Sequence, residues 1–227
     1  MIRRLKTQLR LDLRLLLRLR LLVLAPLLGV LVALLLRGFL PLEQRALALP
    51  LGLASILGAL GFFISAGLVW LEQADGALAS LRLTPLRPSE YLLSKGLSQG
   101  ALYLAFVLPA ALLSLGPRSG VLALLPGLLA YTAFLTFLGQ YLALSRPQLA
   151  QFFGPALFTL ALLQLPLLGL LGRWGEGPWL WLPGFGPLGW MLGLWQPVTI
   201  GGALAWVVLA FWAARRALLR QNCWGRL

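Results

Sequence analysis

The sequence predicts an all-α polytopic membrane protein, with six transmembrane helices preceded by an amphipathic helix on the membrane surface. Three observations carry this expectation. Of 227 residues, 60% are hydrophobic and 11% are charged, whereas a soluble domain carries about 25% charged residues. Several apolar runs reach the ~20 residues that span a bilayer. The formal charge of +13 is concentrated in the first twenty and last thirteen residues, beside apolar runs. That placement suits anionic lipid headgroups and a topology signal, and it argues against nucleic acid as a partner.

The elements follow in order. Residues 2–20 mix Leu with basic residues: Arg3 and Arg4 lead, then Lys6, Arg10, Arg14 and Arg18 recur every four residues beside a stripe of Leu5, Leu9 and Leu13. This spacing describes a basic amphipathic helix lying on the inner membrane surface. The alternative is an extension of the first span with snorkelling arginines. A cleavable signal peptide would have a shorter basic region and a small-residue cleavage site, so the first span is read as retained. Spans are expected at about 19–37, 50–71, 96–115, 121–144, 152–171 and 198–216. Pro26, Pro109, Pro155 and Pro166 fall inside them and should bend helices without ending them. Residues 173–197 break the pattern with Gly and Pro and carry Trp174, Trp179, Trp181, Trp190 and Trp195. Tryptophan concentrates at headgroup depth, so this segment is expected to skim or dip into the outer interface, with a re-entrant helix near 187–195 as one form.

Six spans with the N-terminus inside place 15 basic residues in inner segments and 4 in outer ones. The bias favours both termini in the cytoplasm. The expected organisation is a cytoplasmic connecting helix at 1–20, a six-span domain at 21–219 with a cytoplasmic loop at 72–95 and an outer interfacial segment at 173–197, and a cytoplasmic tail at 220–227. Small residues at Ala54, Gly58, Gly61 and Ser65, and again at Gly169 and Gly172, permit close helix packing, either within the subunit or between subunits.

Several chemistries are excluded. With one cysteine, Cys223, and no histidine, common zinc and transition-metal sites and histidine acid–base chemistry are removed. Neither lysine, Lys6 or Lys95, sits in a Gly-x-x-x-x-Gly-Lys loop, so no ATPase site of that type exists. Asp12, Glu43, Glu72, Asp75, Glu90 and Glu176 are expected near span ends or in loops, with no Asp, Glu or Lys deep in a span. An ion-coupled carrier would place one there. Ser65, Thr132, Thr136, Gln140, Ser145, Thr159 and Gln164 are too sparse for a catalyst and read as helix-packing polar groups. Phe62, Phe63, Tyr131, Phe134 and Phe137 are read either as lining a pathway or as core and lipid-facing aromatics.

The informative stretch is the loop after the second span, where charges become dense. Asp75 is placed to cap a short helix over about 76–83, Leu78 and Leu81 would share one face, Thr84-Pro85 would stop it, and Pro88 would begin the next helix. A short helix with an apolar face and flanking charges suits docking into a groove on a cytoplasmic partner. It equally suits lying against its own membrane.

This loop resembles the corresponding segment of ABC-2 type export permeases. There an acidic residue, a Gly, a leucine-x-x-leucine turn and a Thr-Pro-Leu or Ser-Pro-Leu follow the second span. Glu72, Asp75, Gly76, Leu78, Leu81, Thr84, Pro85, Leu86, Glu90 and Lys95 match that pattern. The basic N-terminal helix resembles the family's connecting helix, and the six-span plan and the length fit. The run 72–95 is most similar to the fluoroquinolone-export branch. The resemblance implies a permease subunit, paired with a second copy or a homologous permease, in a prokaryotic inner membrane. It implies no catalytic site or cofactor on this chain, with ATP and Mg on a separately encoded ABC ATPase that docks at 72–86. The cargo expected is hydrophobic or amphiphilic. The haem-exporter permease of cytochrome c maturation has a related loop and is the alternative within the family. A non-transport membrane scaffold, and a membrane-embedded enzyme or independent carrier, are the alternatives outside it.

Overall fold

The structure, a computed structural model, describes residues 2–81, 86–116, 121–146, 148–171, 185, 189 and 196–220. The described elements are all helical: α1 (Ile2–Arg18), α2 (Leu21–Phe39), α3 (Leu42–Ala74), α4 (Ala77–Leu81), α5 (Pro88–Leu115), α6 (Val121–Ser145), α7 (Leu149–Leu171) and α8 (Pro197–Arg220). Five of them, α2, α3, α5, α6 and α8, contain stretches long and apolar enough to cross a bilayer. In α7 the described apolar stretch is Leu149–Leu165. The expected outer segment at 173–197 lies almost wholly outside the described residues, as do Gly172 and the tail after Arg220.

Local chemistry sets the boundaries. Arg20 adopts a left-handed conformation at φ 59°, so α1 and α2 are two helices and not one extended first span. Pro41 precedes α3, and Pro88 opens α5, where its missing N–H costs nothing. The interior prolines Pro26, Pro50, Pro109 and Pro126 lie within continuous helices, as expected where neighbouring helices re-satisfy freed carbonyls. At 33 residues, α3 is roughly 50 Å long. It therefore extends beyond a ~30 Å hydrocarbon core.

Helix α5 is the hub, packed against α1, α2, α3, α6 and α8, while α6 also lies against α3, α7 and α8. Close crossings depend on small residues. A Cβ on Gly29 of α2 would collide with the Phe106 carbonyl oxygen of α5, and one on Gly139 of α6 would sit 2.5 Å from the Phe62 carbonyl oxygen of α3. The small row on α3 serves the same end: Gly58 faces Tyr131, Gly61 faces Tyr103, and Ser65 donates a hydrogen bond to the Thr136 carbonyl at 3.1 Å. That row packs inside the chain. Phe62, Tyr131, Phe134 and Phe137 are buried, with Phe62 stacked on Phe152 at 5.8 Å between centroids, so they are core aromatics. The outer face of α2 instead exposes Val23, Leu27, Leu31 and Leu34, the apolar exterior that a bilayer covers.

Candidate functional site

The candidate site lies at the end of the bundle where α3 finishes and α5 begins. Three α5 residues within one helical turn, Tyr91, Ser94 and Lys95, point inward together and are buried. Lys95 is 1% exposed. Its ammonium donates to Asp12 Oδ1 of α1 at 2.7 Å and to Glu72 Oε1 of α3. The remaining carboxylate capacity is taken up locally. The Tyr91 hydroxyl donates to Glu72 Oε2 at 2.6 Å, the Ser94 hydroxyl donates to Asp12 Oδ2, and the Gln8 amide donates to Asp12 Oδ1 at 3.3 Å. One ammonium thus joins two carboxylates from two other helices, and neutral donors complete the shell.

The expectation of positions near span ends leaves out that these charged side chains are buried within the protein. Lys95 lies in α5, one of the membrane-length helices, and Asp12 and Glu72 are buried with it. On α1 the expected leucine stripe lies beside a more deeply buried line. The buried line is Gln8, Asp12 and Leu16, with Leu5, Leu9 and Leu13 flanking it half-buried. Arg3, Arg4, Lys6, Arg10, Arg14 and Arg18 are exposed. Helix α1 therefore packs against α5 through a polar seam.

The predicted loop residues divide sharply. Glu72 and Lys95 meet in the ion network. Glu90 is buried, and its carboxylate accepts the Arg87 backbone N–H at 2.9 Å, closing the first turn of α5. Leu78, expected to share a docking face with Leu81, is 3% exposed, and both it and Leu86 are buried in the core of this chain. Asp75 ends α3 instead of capping α4. Gly76 makes the turn at φ 67°, and its carbonyl accepts the Ser80 N–H. Such a backbone conformation favours glycine. Among the described residues of this stretch the exposed ones are Ala74, Asp75, Gly76, Ser80, Arg87 and Leu93. The Leu81 side chain, Thr84 and Pro85 lie outside the described residues.

Asp12 is the participant that sequence reading missed. Its i, i+4 pairing with Gln8 was visible, but its partner lies 83 residues away. A second polar layer follows one turn further along α5. The Thr136 hydroxyl donates to Gln99 Oε1 at 2.9 Å, while Gln99 Nε2 and both amide atoms of Gln140 are buried without a hydrogen-bond partner among the described residues.

Among the described residues no group of three His, Cys, Asp or Glu side chains could hold a metal ion. Lys95 occupies the position between the two carboxylates. What the network can do is mechanical. Separating α3 from α5 at this end would strand buried charges, and breaking a buried pair costs about 3–5 kcal/mol. The network therefore ties the ends of α1, α3 and α5 to one another.

No family model matches the chain. Among known proteins it is similar to the fluoroquinolones export permease proteins of two Mycobacterium tuberculosis strains, CDC 1551 / Oshkosh and ATCC 25618 / H37Rv. Each is 29% identical over 220 residues, covering 95% of this chain and 87% of the relative. Similarity along nearly the whole length, together with five membrane-length helices, supports a membrane transport permease.

Proposed function

We propose that this chain is the membrane-spanning subunit of an ATP-driven exporter of hydrophobic or amphiphilic compounds. The observation that carries the proposal is its similarity to export permeases across 95% of its length. In this reading α7 is the sixth span, both termini are cytoplasmic, and two permease subunits enclose the path. A separately encoded ABC ATPase, which holds ATP and Mg, docks at the turn between α3 and α5.

The Lys95 network supports the coupling. A push on the exposed turn at Asp75 and Gly76 reaches Glu72 within one helical turn, and Glu72 is tied through Lys95 to α5 and through Asp12 to α1. The push therefore moves three helix ends as one body, the kind of rigid relay that alternating packings require. Exposed Asp75 and Arg87 offer a partner charged contacts without disturbing buried groups.

The test is purification of the tagged chain from its native membrane in mild detergent, with partners identified by mass spectrometry. An ATP-binding subunit at one per permease is expected, and Asp75→Arg should reduce its recovery about tenfold while leaving the permease folded. Reproducible absence of any ATP-binding subunit, with the permease intact, would overturn the reading.

A further inference from the structure

We infer that a groove between the ends of α6 and α8 binds the headgroup of an anionic phospholipid. The groove has a volume of about 590 Å³ and is lined by Tyr141 and Ser145 from α6 and by Trp212, Arg216 and Arg220 from α8. Ala213 and Ala217 form part of its wall, and their small side chains leave the space open. It lies at the same end of the bundle as the Lys95 network, because α6 and α8 run in parallel there: Phe134 meets Trp206, Phe137 meets Phe211, and Tyr141 and Ser145 share the groove with Trp212 and Arg216.

Charge and shape both point to a lipid. Arg216 and Arg220 are exposed, and among the described residues neither has an ion-pair partner. The Arg216 guanidinium lies over the Trp212 ring, 3.4 Å from its centroid, a stacking that presents its N–H edge to an acceptor. Arg146, immediately after Ser145 at the end of α6, has a buried guanidinium nitrogen, Nη1, without a hydrogen-bond partner among the described residues.

Along α8 the residues Leu204, Val208, Trp212, Arg216 and Arg220 recur every four positions in a line that winds slowly around the helix, and the first three are exposed apolar side chains. The line therefore reads as two aliphatic groups, an indole and two guanidiniums. Acyl chain, interfacial ring and headgroup phosphate follow in that order across a leaflet. A free inorganic anion would leave the indole, the alanine wall and the aliphatic track unused.

The experiment uses the full chain purified in mild detergent. Thermal stability and native mass spectrometry are measured with phosphatidylglycerol, with phosphatidylcholine and with inorganic phosphate. Phosphatidylglycerol should raise the unfolding midpoint and remain bound as discrete adducts. Arg216→Gln with Arg220→Gln should weaken that binding roughly 30-fold, since each surface arginine supplies about fivefold toward an anionic lipid. The single substitutions should give intermediate losses, and Arg215→Gln, the same charge on the neighbouring face, should give little. Equal effects of the two lipids, or full retention of phosphatidylglycerol binding in the double variant, would overturn the assignment. So would an equal loss in Arg215→Gln, which would make the effect one of bulk charge. An equivalent shift with inorganic phosphate alone would replace the lipid by a small anion.

Discussion

Lys95 sets the residue-scale energetics of this protein. Its ammonium has given up water entirely and is compensated by two carboxylates, each of which has a hydroxyl or amide donor besides. Replacing it by Met would leave Asp12 and Glu72 facing each other without a cation. Lys95→Met should therefore destabilise the chain by about 3–5 kcal/mol, read as a lowered unfolding midpoint in detergent. Adding Asp12→Asn and Glu72→Gln should recover much of that loss, because the unpaired charges go with the lysine. A single variant as stable as the parent would remove the network from the account of how α1, α3 and α5 are held. The unpartnered amides of Gln140 and Gln99 mark the opposite case. Buried polar groups without partners cost free energy wherever they occur; Gln99 lies on α5 one turn beyond Lys95, and Gln140 lies on α6 one turn after Thr136.

At the scale of elements, the tightest contacts are made by backbone and not by large side chains. Between lipid-covered helices there is no hydrophobic gain to drive association, so close packing through small residues carries it. The crossing of α2 on α5 at Gly29 and that of α6 on α3 at Gly139 both bring a carbonyl oxygen where a side chain would begin. Gly29→Ala should force α2 away from α5 and cost about 1–3 kcal/mol by overpacking. Gly38→Ala, where a Cβ meets nothing within 4 Å, is the matched control and should be near neutral. Equal thermal midpoints for the two variants would show that the crossing relaxes freely.

Helix α4 is the counterexample to reading an element from its own composition. Leu78 supplies the apolar face that a partner groove could take, yet that face is spent on this chain's own core. Among the described residues, Ala74, Asp75, Gly76 and Ser80 remain outward here, so a partner would meet charge and backbone at them.

For the whole molecule, the distribution of charge is the organising fact. The ends of α3, α6 and α8 and the start of α5 gather at one end of the bundle with the Lys95 network and the α8 arginines. The four basic residues Arg37, Arg45, Arg118 and Arg173 belong to segments expected at the other end. If the charged end is cytoplasmic, the lone cysteine, Cys223, is shielded in intact cells. A membrane-impermeant maleimide should leave it unlabelled until the cells are lysed. Labelling from outside would invert the orientation, or add a span between α7 and α8.

The sequence by itself determined the membrane class, the approximate positions of the apolar helices, the break between α1 and α2 near residue 20, and the small-residue row on α3. Each follows from local composition: the length of an apolar run, the period of a basic stripe, the spacing of glycines. It also pointed to the stretch 72–95, by resemblance and by a local rise in charge. Only the tertiary structure decided what those charges and leucines do there. Asp12 meets Lys95 from 83 residues away, and no periodicity within α1 records which helix its buried face will meet. Leu78 and Leu86 turn inward and Asp75 turns outward because α3 and α5 converge beside them. Which side of a short helix is buried is a property of its neighbours, not of its own residues.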